Sequence, residues 1–424
     1  MDSLRRHLAD SVLTSLTDSP VVFIQGARQT GKSTLARSLA AEVHPARDPT
    51  RQAARYLTLD DSAVLSSALS DPDGFLAGIG GPVILDEVQR APCLAIAIKA
   101  AVDRDRRPGR FLLTGSADFM VLPKLSESLA GRVEIHTLWP FSQGELLGRR
   151  DTFVDAVFAK KFAPPSAAGQ SMPELTTRFV KGGYPEMLRR KDAARRRAWF
   201  DSYIAAILQR DVRDISNVRD LAEMPRLLAL IAARAASLLD YADLSRALAM
   251  PQTTLRRYMA LLEATFLVHT LPPWFVNIGK RLVKTPKLYL DDTGLLLHLA
   301  GADAARLRRD ATLCGAVVEN FVVMELLKQR GWSNVRPSLY HFRTHNGDEV
   351  DIVLEDAAGR VVGIEVKAAG GVTANHFKGL KVLAEAAGDR FVRGFVLNSG
   401  PVAVPFGKNL LAMPISGIWA GQGA

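Results

Sequence analysis

The residues with the clearest chemical meaning are Gly26-Ala27-Arg28-Gln29-Thr30-Gly31-Lys32-Ser33, followed by Thr34, which fit the pattern G-x-x-x-x-G-K-[ST]. Two glycines let backbone wrap around phosphate oxygens. The loop's N–H groups and the start of the following helix supply fixed positive charge. Lys32 is expected to reach the β- and γ-phosphates, and Ser33 to place its hydroxyl on Mg²⁺. Further along, Val83-Ile84-Leu85-Asp86-Glu87 is an apolar run ending in two carboxylates. Asp86 is the expected second Mg²⁺ ligand, and Glu87 the group that orients and polarises an attacking water. Phe111-Leu112-Leu113-Thr114-Gly115-Ser116 is another buried run with a polar end, where Thr114 or Ser116 would sense the γ-phosphate or the water, unless either simply caps the strand. Arg132, in Leu129-Ala130-Gly131-Arg132, is a candidate to stabilise γ-phosphate charge in its own site or a neighbour's, and the second option requires a homo-oligomer. ATP and Mg²⁺ are thus the expected ligands of the N-terminal part.

A second constellation lies near the other end. Glu319 falls in an apolar-rich helical stretch, Asp351 in the strand-like run Glu349–Leu354, and Glu365 and Lys367 in Val361–Lys367. Residues i and i+2 of a strand share a face, so Glu365 and Lys367 point together while Ile364 and Val366 point away. A hairpin can bring Asp351 beside Glu365. Two such carboxylates would hold Mg²⁺, Lys367 would orient water or stabilise a pentavalent phosphate, and Glu319 would complete the site. A short hairpin with a charged outer face carries the same letters, so the spacing alone leaves both readings open.

These residues need positioning elements. Val21-Val22-Phe23-Ile24 reads as a short buried strand, and Thr34–Ala40 as helix, which is the context a phosphate loop requires. A leading amphipathic helix carries Leu4, Leu8, Val12 and Leu16. Ala54–Asp60 reads as a strand, Ser62–Ala68 as a helix, Pro72-Asp73-Gly74 as a turn and Pro92–Val102 as a helix. Strands alternating with helices imply an α/β fold with a doubly wound parallel sheet, whose ligands bind at the carboxyl edge. Ala159–Pro173 has linker composition, and a long helix near Ala193–Asp211 opens on Arg195-Arg196-Arg197. Residues 224–275 read as three short helices and a strand, with Pro251 in a turn before the last helix, which suggests a winged helix-turn-helix. Thr253, Thr254, Arg256, Arg257 and Tyr258 would then lie on or near a helix that reads DNA, the alternative being a packing module. A basic stretch follows with Lys280, Arg281, Lys284 and Lys287, before Asp291-Asp292-Thr293-Gly294 caps the next helix. The expected divisions are 1–150 for the ATPase domain, 151–220 for a linker and helical lid, 221–290 for the winged-helix-like domain and 291–424 for the last.

Composition narrows the partners. The formal net charge is +10, with +4 over residues 151–220 and +3 over 221–300. A basic middle favours DNA or another polyanion, without specifying fold. No apolar run approaches the ~18 residues of a membrane span, so no membrane partner is expected. The two cysteines, Cys93 and Cys314, lie far apart, and a reducing cytoplasm is the expected compartment.

Taken in order, GARQTGKST, LDEVQRAP, LLTGSA, LAGR, GGYPE, KRLVKTPKLYLDDTGLL, GDEVDIVLE and GIEVKA resemble the motifs of prokaryotic AAA-type ATP-binding proteins. The C-terminal domain of those proteins is of unknown function and has a restriction-endonuclease-like core. The resemblance covers nearly the whole chain. It implies an AAA-like ATPase, a winged-helix middle and a nuclease-like end. Lys32, Ser33, Asp86 and Glu87 would form the ATP site, and Glu319, Asp351, Glu365 and Lys367 the nuclease-like site.

Overall fold

A computed structural model describes residues 4–43, 53–121, 123–164, 169–212, 222–277 and 285–420. Packing groups the chain into two compact units. One comprises Met1–Pro140, Tyr203–Arg219 and Ala264–Leu267, and the other Phe141–Ser202, Asp220–Glu263 and Val268–Ala424.

The first unit is built on five parallel strands: β1 (Val21–Gln25), β2 (Arg55–Thr58), β3 (Val83–Asp86), β4 (Phe111–Gly115) and β5 (Val133–Thr137), in the order β2-β3-β4-β1-β5. All five residues of β1 are buried, as a central parallel strand covered on both faces requires. Alternation then sorts the side chains. Val21, Phe23, Leu85 and Leu113 pack on one face with Leu94 and Ile98 of helix Leu94–Arg104. Val22, Ile24, Ile84 and Leu112 pack on the other with Leu8 and Val12 of α1 (Leu8–Ser15) and Leu35 of α2 (Lys32–Ser38). The expected doubly wound parallel arrangement is present. One local expectation is corrected: Pro72-Asp73-Gly74 opens a helix, Pro72–Ile79, rather than making a turn. Pro72 occupies the first helical turn, where a missing N–H costs nothing, and the Asp71 side chain accepts from Gly74 N at 2.9 Å.

Register fixes which residues share an edge. Ile24 pairs with Thr114, and Thr58 with Asp86, so β1, β3 and β4 deliver their polar ends together at the carboxyl edge. Arg132 instead directly precedes Val133, which pairs with Val21 at the start of β1.

The second unit holds a six-stranded mixed sheet, β12-β13-β11-β10-β9-β8, formed from β8 (Ser338–Arg343), β9 (Glu349–Glu355), β10 (Val361–Val366), β11 (Phe391–Asn398), β12 (Val404–Pro405) and β13 (Leu410–Pro414). β9 and β10 form the expected hairpin, antiparallel with Ile352 opposite Ile364. Helix Lys378–Ala387 seals one face through Leu380 and Leu383. This unit also contains helices Met224–Ala233 and Tyr241–Leu248, most of helix Gln252–Ala264, and an antiparallel pair, β6 (Val268–Leu271) with β7 (Lys287–Leu290). Among the described residues no helix is long and apolar enough to cross a membrane.

Candidate functional site

The glycine loop leaves the end of β1 and returns as α2. Gly26 has φ +149°, and a Cβ there would lie 2.2 Å from the Leu138 carbonyl oxygen, so only glycine fits. Gly31, with φ +96°, turns the chain into α2. The loop is braced from inside and outside. Thr30 Oγ1 donates to the Ala27 carbonyl at 2.9 Å, and Lys32 Nζ donates to the carbonyls of Gly26 (3.0 Å) and Ala27 (2.8 Å). Arg6 donates to the Thr30 carbonyl at 2.7 Å and to the Trp139 carbonyl at 2.6 Å. That guanidinium ties loop and sheet edge together, although nothing in its surrounding sequence marks it.

Asp86 is the hub of the carboxyl edge and is only 3% exposed. Its Oδ1 accepts from Ser33 Oγ at 3.0 Å and Thr114 Oγ1 at 2.5 Å, and its Oδ2 accepts from Tyr56 OH at 2.6 Å. Burial, then Asp86, pushes the Tyr56 phenol up to about 12. Thr114, one of the two sensor candidates, faces the acidic pair. Its proton goes to Asp86, its oxygen accepts from Glu87 N at 3.1 Å, and it is fully buried. Thr114 therefore positions the acidic pair. Ser116 Oγ accepts from Gln89 Nε2 at 3.0 Å, and the same amide donates to Glu87. Glu87 itself has left-handed backbone, φ 60°, a conformation a non-glycine residue rarely adopts. The structure thus brings together Lys32, Ser33, Asp86, Glu87, Thr114 and Ser116. It adds Tyr56, Gln89 and Arg6, which carry no motif of their own.

Arg132 is not part of this assembly. It lies at the opposite, amino edge of the sheet, where its Nε donates to Asp103 at 2.7 Å. Five-residue strands separate the two edges, so the expectation that Arg132 serves its own site is overturned by strand direction.

Hard oxygen donors at Ser33 and Asp86 fit Mg²⁺. The second constellation is built differently. Lys287, on β7, is 3% exposed, and its ammonium donates to Glu319 at 2.8 Å, Glu349 at 2.5 Å and Asp351 at 3.1 Å. Tyr289, two residues along the same strand, donates to Glu319 Oε1 at 2.7 Å. Asp351 Oδ2 accepts from Val366 N at 2.9 Å, and Lys367 donates to Glu365 at 2.7 Å. Burial first, and Asp351 second, pushes the carboxyls of Glu319 and Glu365 up. Burial alone would lower Lys287, but Asp351, Glu319 and Glu349 together hold it protonated. Glu319, Asp351, Glu365 and Lys367 do converge. At the expected Mg²⁺ seat both oxygens of Asp351 are engaged by protein donors, and the Lys287 ammonium already sits among the acids. Among the described residues no group of three or more His, Cys, Asp or Glu is placed to hold a metal ion. Lys280, Arg281 and Lys284 lie outside the described residues.

On helix Gln252–Ala264, Thr253, Arg256 and Arg257 are exposed, whereas Tyr258 is buried at 7%. Tyr258 therefore belongs to the core, not to a reading face. The Arg256 guanidinium stacks over the Tyr241 ring, 4.2 Å from its centroid.

Beside the acids, His341 of β8 is 2% exposed, with Nε2 3.2 Å from the Thr285 carbonyl. Burial and then the Lys287 ammonium push its pKa from 6.5 to about 4. A depressed histidine binds more protons unfolded than folded. Its contribution is therefore complete above about pH 6.5 and is lost as pH falls towards 4, by up to about 3 kcal/mol. Urea unfolding at pH 7 and pH 4.5 should show a larger loss for the wild type than for His341→Gln. Equal losses would remove His341 as the cause.

Residues 18–147 match the family described as "AAA domain", residues 172–306 "Domain of unknown function (DUF8612)" and residues 314–418 "Domain of unknown function (DUF4143)". "Uncharacterized protein Rv2008c" of Mycobacterium tuberculosis (strain ATCC 25618 / H37Rv) is 34% identical over 366 residues, covering 86% of this chain and 74% of that protein. "Uncharacterized protein Mb2031c" of Mycobacterium bovis (strain ATCC BAA-935 / AF2122/97) gives the same figures. Among solved structures, AMPPCP-bound DnaA from Aquifex aeolicus is 10% identical with a TM-score of 0.27, covering 61% of this chain and 86% of that one. A signal transduction ATPase with numerous domains, from Pyrococcus horikoshii, is 13% identical with a TM-score of 0.24, covering 76% and 46%. Those two likenesses are too distant to carry an argument.

Proposed function

Since this chain belongs to the family of the mycobacterial protein Rv2008c and carries its own AAA-type P-loop domain, we propose that it is a Mg²⁺-dependent ATP hydrolase acting on DNA. The observation that carries the hydrolase reading is the hydrogen bond from Ser33 to Asp86, beside Glu87. It joins the phosphate loop to the acidic strand at one edge. Loop N–H groups and Lys32 would hold the β- and γ-phosphates, and Ser33 and Asp86 would hold Mg²⁺, whose charge offsets that of the phosphates. Glu87, kept in place by Gln89 and by the Thr114 bond to its backbone, would orient the attacking water and accept its proton. Ser116, on the same amide, and Thr114 are the sensor candidates.

DNA contact is supported by the basic middle of the chain and by the exposed Thr253, Arg256 and Arg257 on one helix. Three helices followed by the β6–β7 pair suit a winged-helix reading. We read the C-terminal sheet, with its helix-borne Glu319, as restriction-endonuclease-like in shape but serving as a binding and switching element. The saturation of Asp351 by Lys287 and Val366 favours this over cleavage.

ATPase rates with no DNA and with single-stranded, duplex and branched DNA test the proposal. Stimulation by one form supports it. Turnover unchanged by every form, with no DNA affinity at low salt, moves the reading to an ATPase that acts on a protein. If phosphates are contacted at this helix, the double change Arg256→Ala, Arg257→Ala should lower the salt slope of DNA affinity by about 2. Anisotropy titrations at several salt concentrations measure this, and an unaltered slope would place the DNA elsewhere.

A further inference from the structure

The acid cluster of the second unit already holds a cation. An ammonium has three N–H donors, and Lys287 Nζ meets three carboxylates: Glu319 at 2.8 Å, Glu349 at 2.5 Å and Asp351 at 3.1 Å. No donor is left over, and Asp351 has no oxygen left over either, since Val366 N–H takes the other. The strand period explains how one short segment does this. Lys287 and Tyr289 alternate onto the face that meets Glu319, while Leu288 and Leu290 turn to the opposite face.

The strand is also fixed in depth. Asn320, the neighbour of Glu319, accepts from Leu290 N at 2.8 Å and donates to Leu290 O at 2.9 Å. Helix Ala311–Arg330 thus presents an acid to Lys287 and an amide clamp to the same strand. On the other side β7 is paired to β6, with Lys287 opposite Leu271. The ammonium belongs to the docked position of β7, not to a floppy surface chain.

We infer that Lys287 is the resident cation of this cluster, filling the place among Glu319, Glu349 and Asp351 that a divalent ion takes only when the ammonium is gone. A divalent ion brought to the same oxygens would face a like charge within hydrogen-bond range of each of them. The cluster is therefore closed to divalent metal while β7 is docked, and access to it is a property of β7. The inference concerns this cluster alone and does not depend on ATP turnover.

Mn²⁺ titration of the full chain without nucleotide, followed by electron paramagnetic resonance, tests it. Wild type and Asp351→Asn should bind the same number of ions, and Lys287→Arg should match them. Lys287→Met should bind one more Mn²⁺ per chain, and the added change Asp351→Asn should remove that ion. A wild type that binds one more Mn²⁺ than Asp351→Asn would overturn the inference, as would a folded Lys287→Met that gains none. Circular dichroism establishes folding. If Lys287→Met does not fold, the comparison of wild type with Asp351→Asn and Glu365→Gln decides: equal uptake supports the closed cluster, and a deficit in either variant refutes it.

Discussion

Lys32→Ala should reduce ATP turnover by about a thousandfold, the order seen when one preorganised charge-stabilising donor is removed from a reaction site. Lys32 is 4% exposed, and its ammonium lies on the Gly26 and Ala27 carbonyls, inside the loop that would receive the phosphates. Alanine cannot put positive charge there, and the Arg6 guanidinium is already committed to Thr30 and Trp139. Both nucleotide affinity and turnover should therefore fall. Glu87→Gln separates the two effects. It keeps the side-chain length but cannot take a proton from water, so nucleotide should still bind while turnover drops. Fluorescent-nucleotide binding measured beside phosphate release distinguishes these patterns. Near-normal turnover in Lys32→Ala would mean that this loop is not the hydrolysis site.

Asp292→Ala should destabilise the second unit by about 3 kcal/mol or more, since each buried donor left unsatisfied costs about 1–3 kcal/mol. Asp292 is 3% exposed, and it accepts from Gly183 N at 2.7 Å, Gly294 N at 2.8 Å and Leu295 N at 3.1 Å. Alanine would strand three donors away from water. Two of the bonds cap helix Thr293–Leu299 and the third reaches a turn far away in sequence, so the loss is not confined to one helix end. Chemical denaturation should show a lowered midpoint for the second unit. An unfolding free energy within about 0.5 kcal/mol of the wild type, the usual scale for a surface change, would refute the account.

The same residue shows what was legible in the sequence. Asp292 before Thr293-Gly294 announced a helix cap, because capping is local and has a sequence signature. Its bond to Gly183 has none, since the partner is set by the path of the chain. The phosphate loop and the Val83–Glu87 run were legible for a similar reason: apolar continuity, glycine placement and terminal acids are all written over a few residues. Tyr56, Gln89 and Arg6 were not, because each is an ordinary polar residue whose meaning comes from a neighbour brought up by strand order. The parallel direction of β5 beside β1 puts Arg132, just before its first residue, at the amino edge, away from the phosphate loop of its own chain. Lys287 misled in the most instructive way. A lysine in a basic stretch reads as surface because burying an ammonium is costly; three carboxylates from one helix and one strand remove the objection. The hairpin of Asp351 and Glu365 was readable, but its occupancy was not.

The three hydroxyls around Asp86 have a kinetic consequence. Ser33, Thr114 and Tyr56 all point protons at this carboxylate, so it is coated by protein donors instead of bulk water. A hydroxyl offers lone pairs as well as a proton. Turning Ser33 about its C–O bond changes it from a donor towards Asp86 into an oxygen ligand for an arriving ion, with no backbone displacement. Such rotations are complete within about nanoseconds. Loading this edge should therefore be limited by how fast the ion sheds its own water, and the protein should impose no slow step of its own.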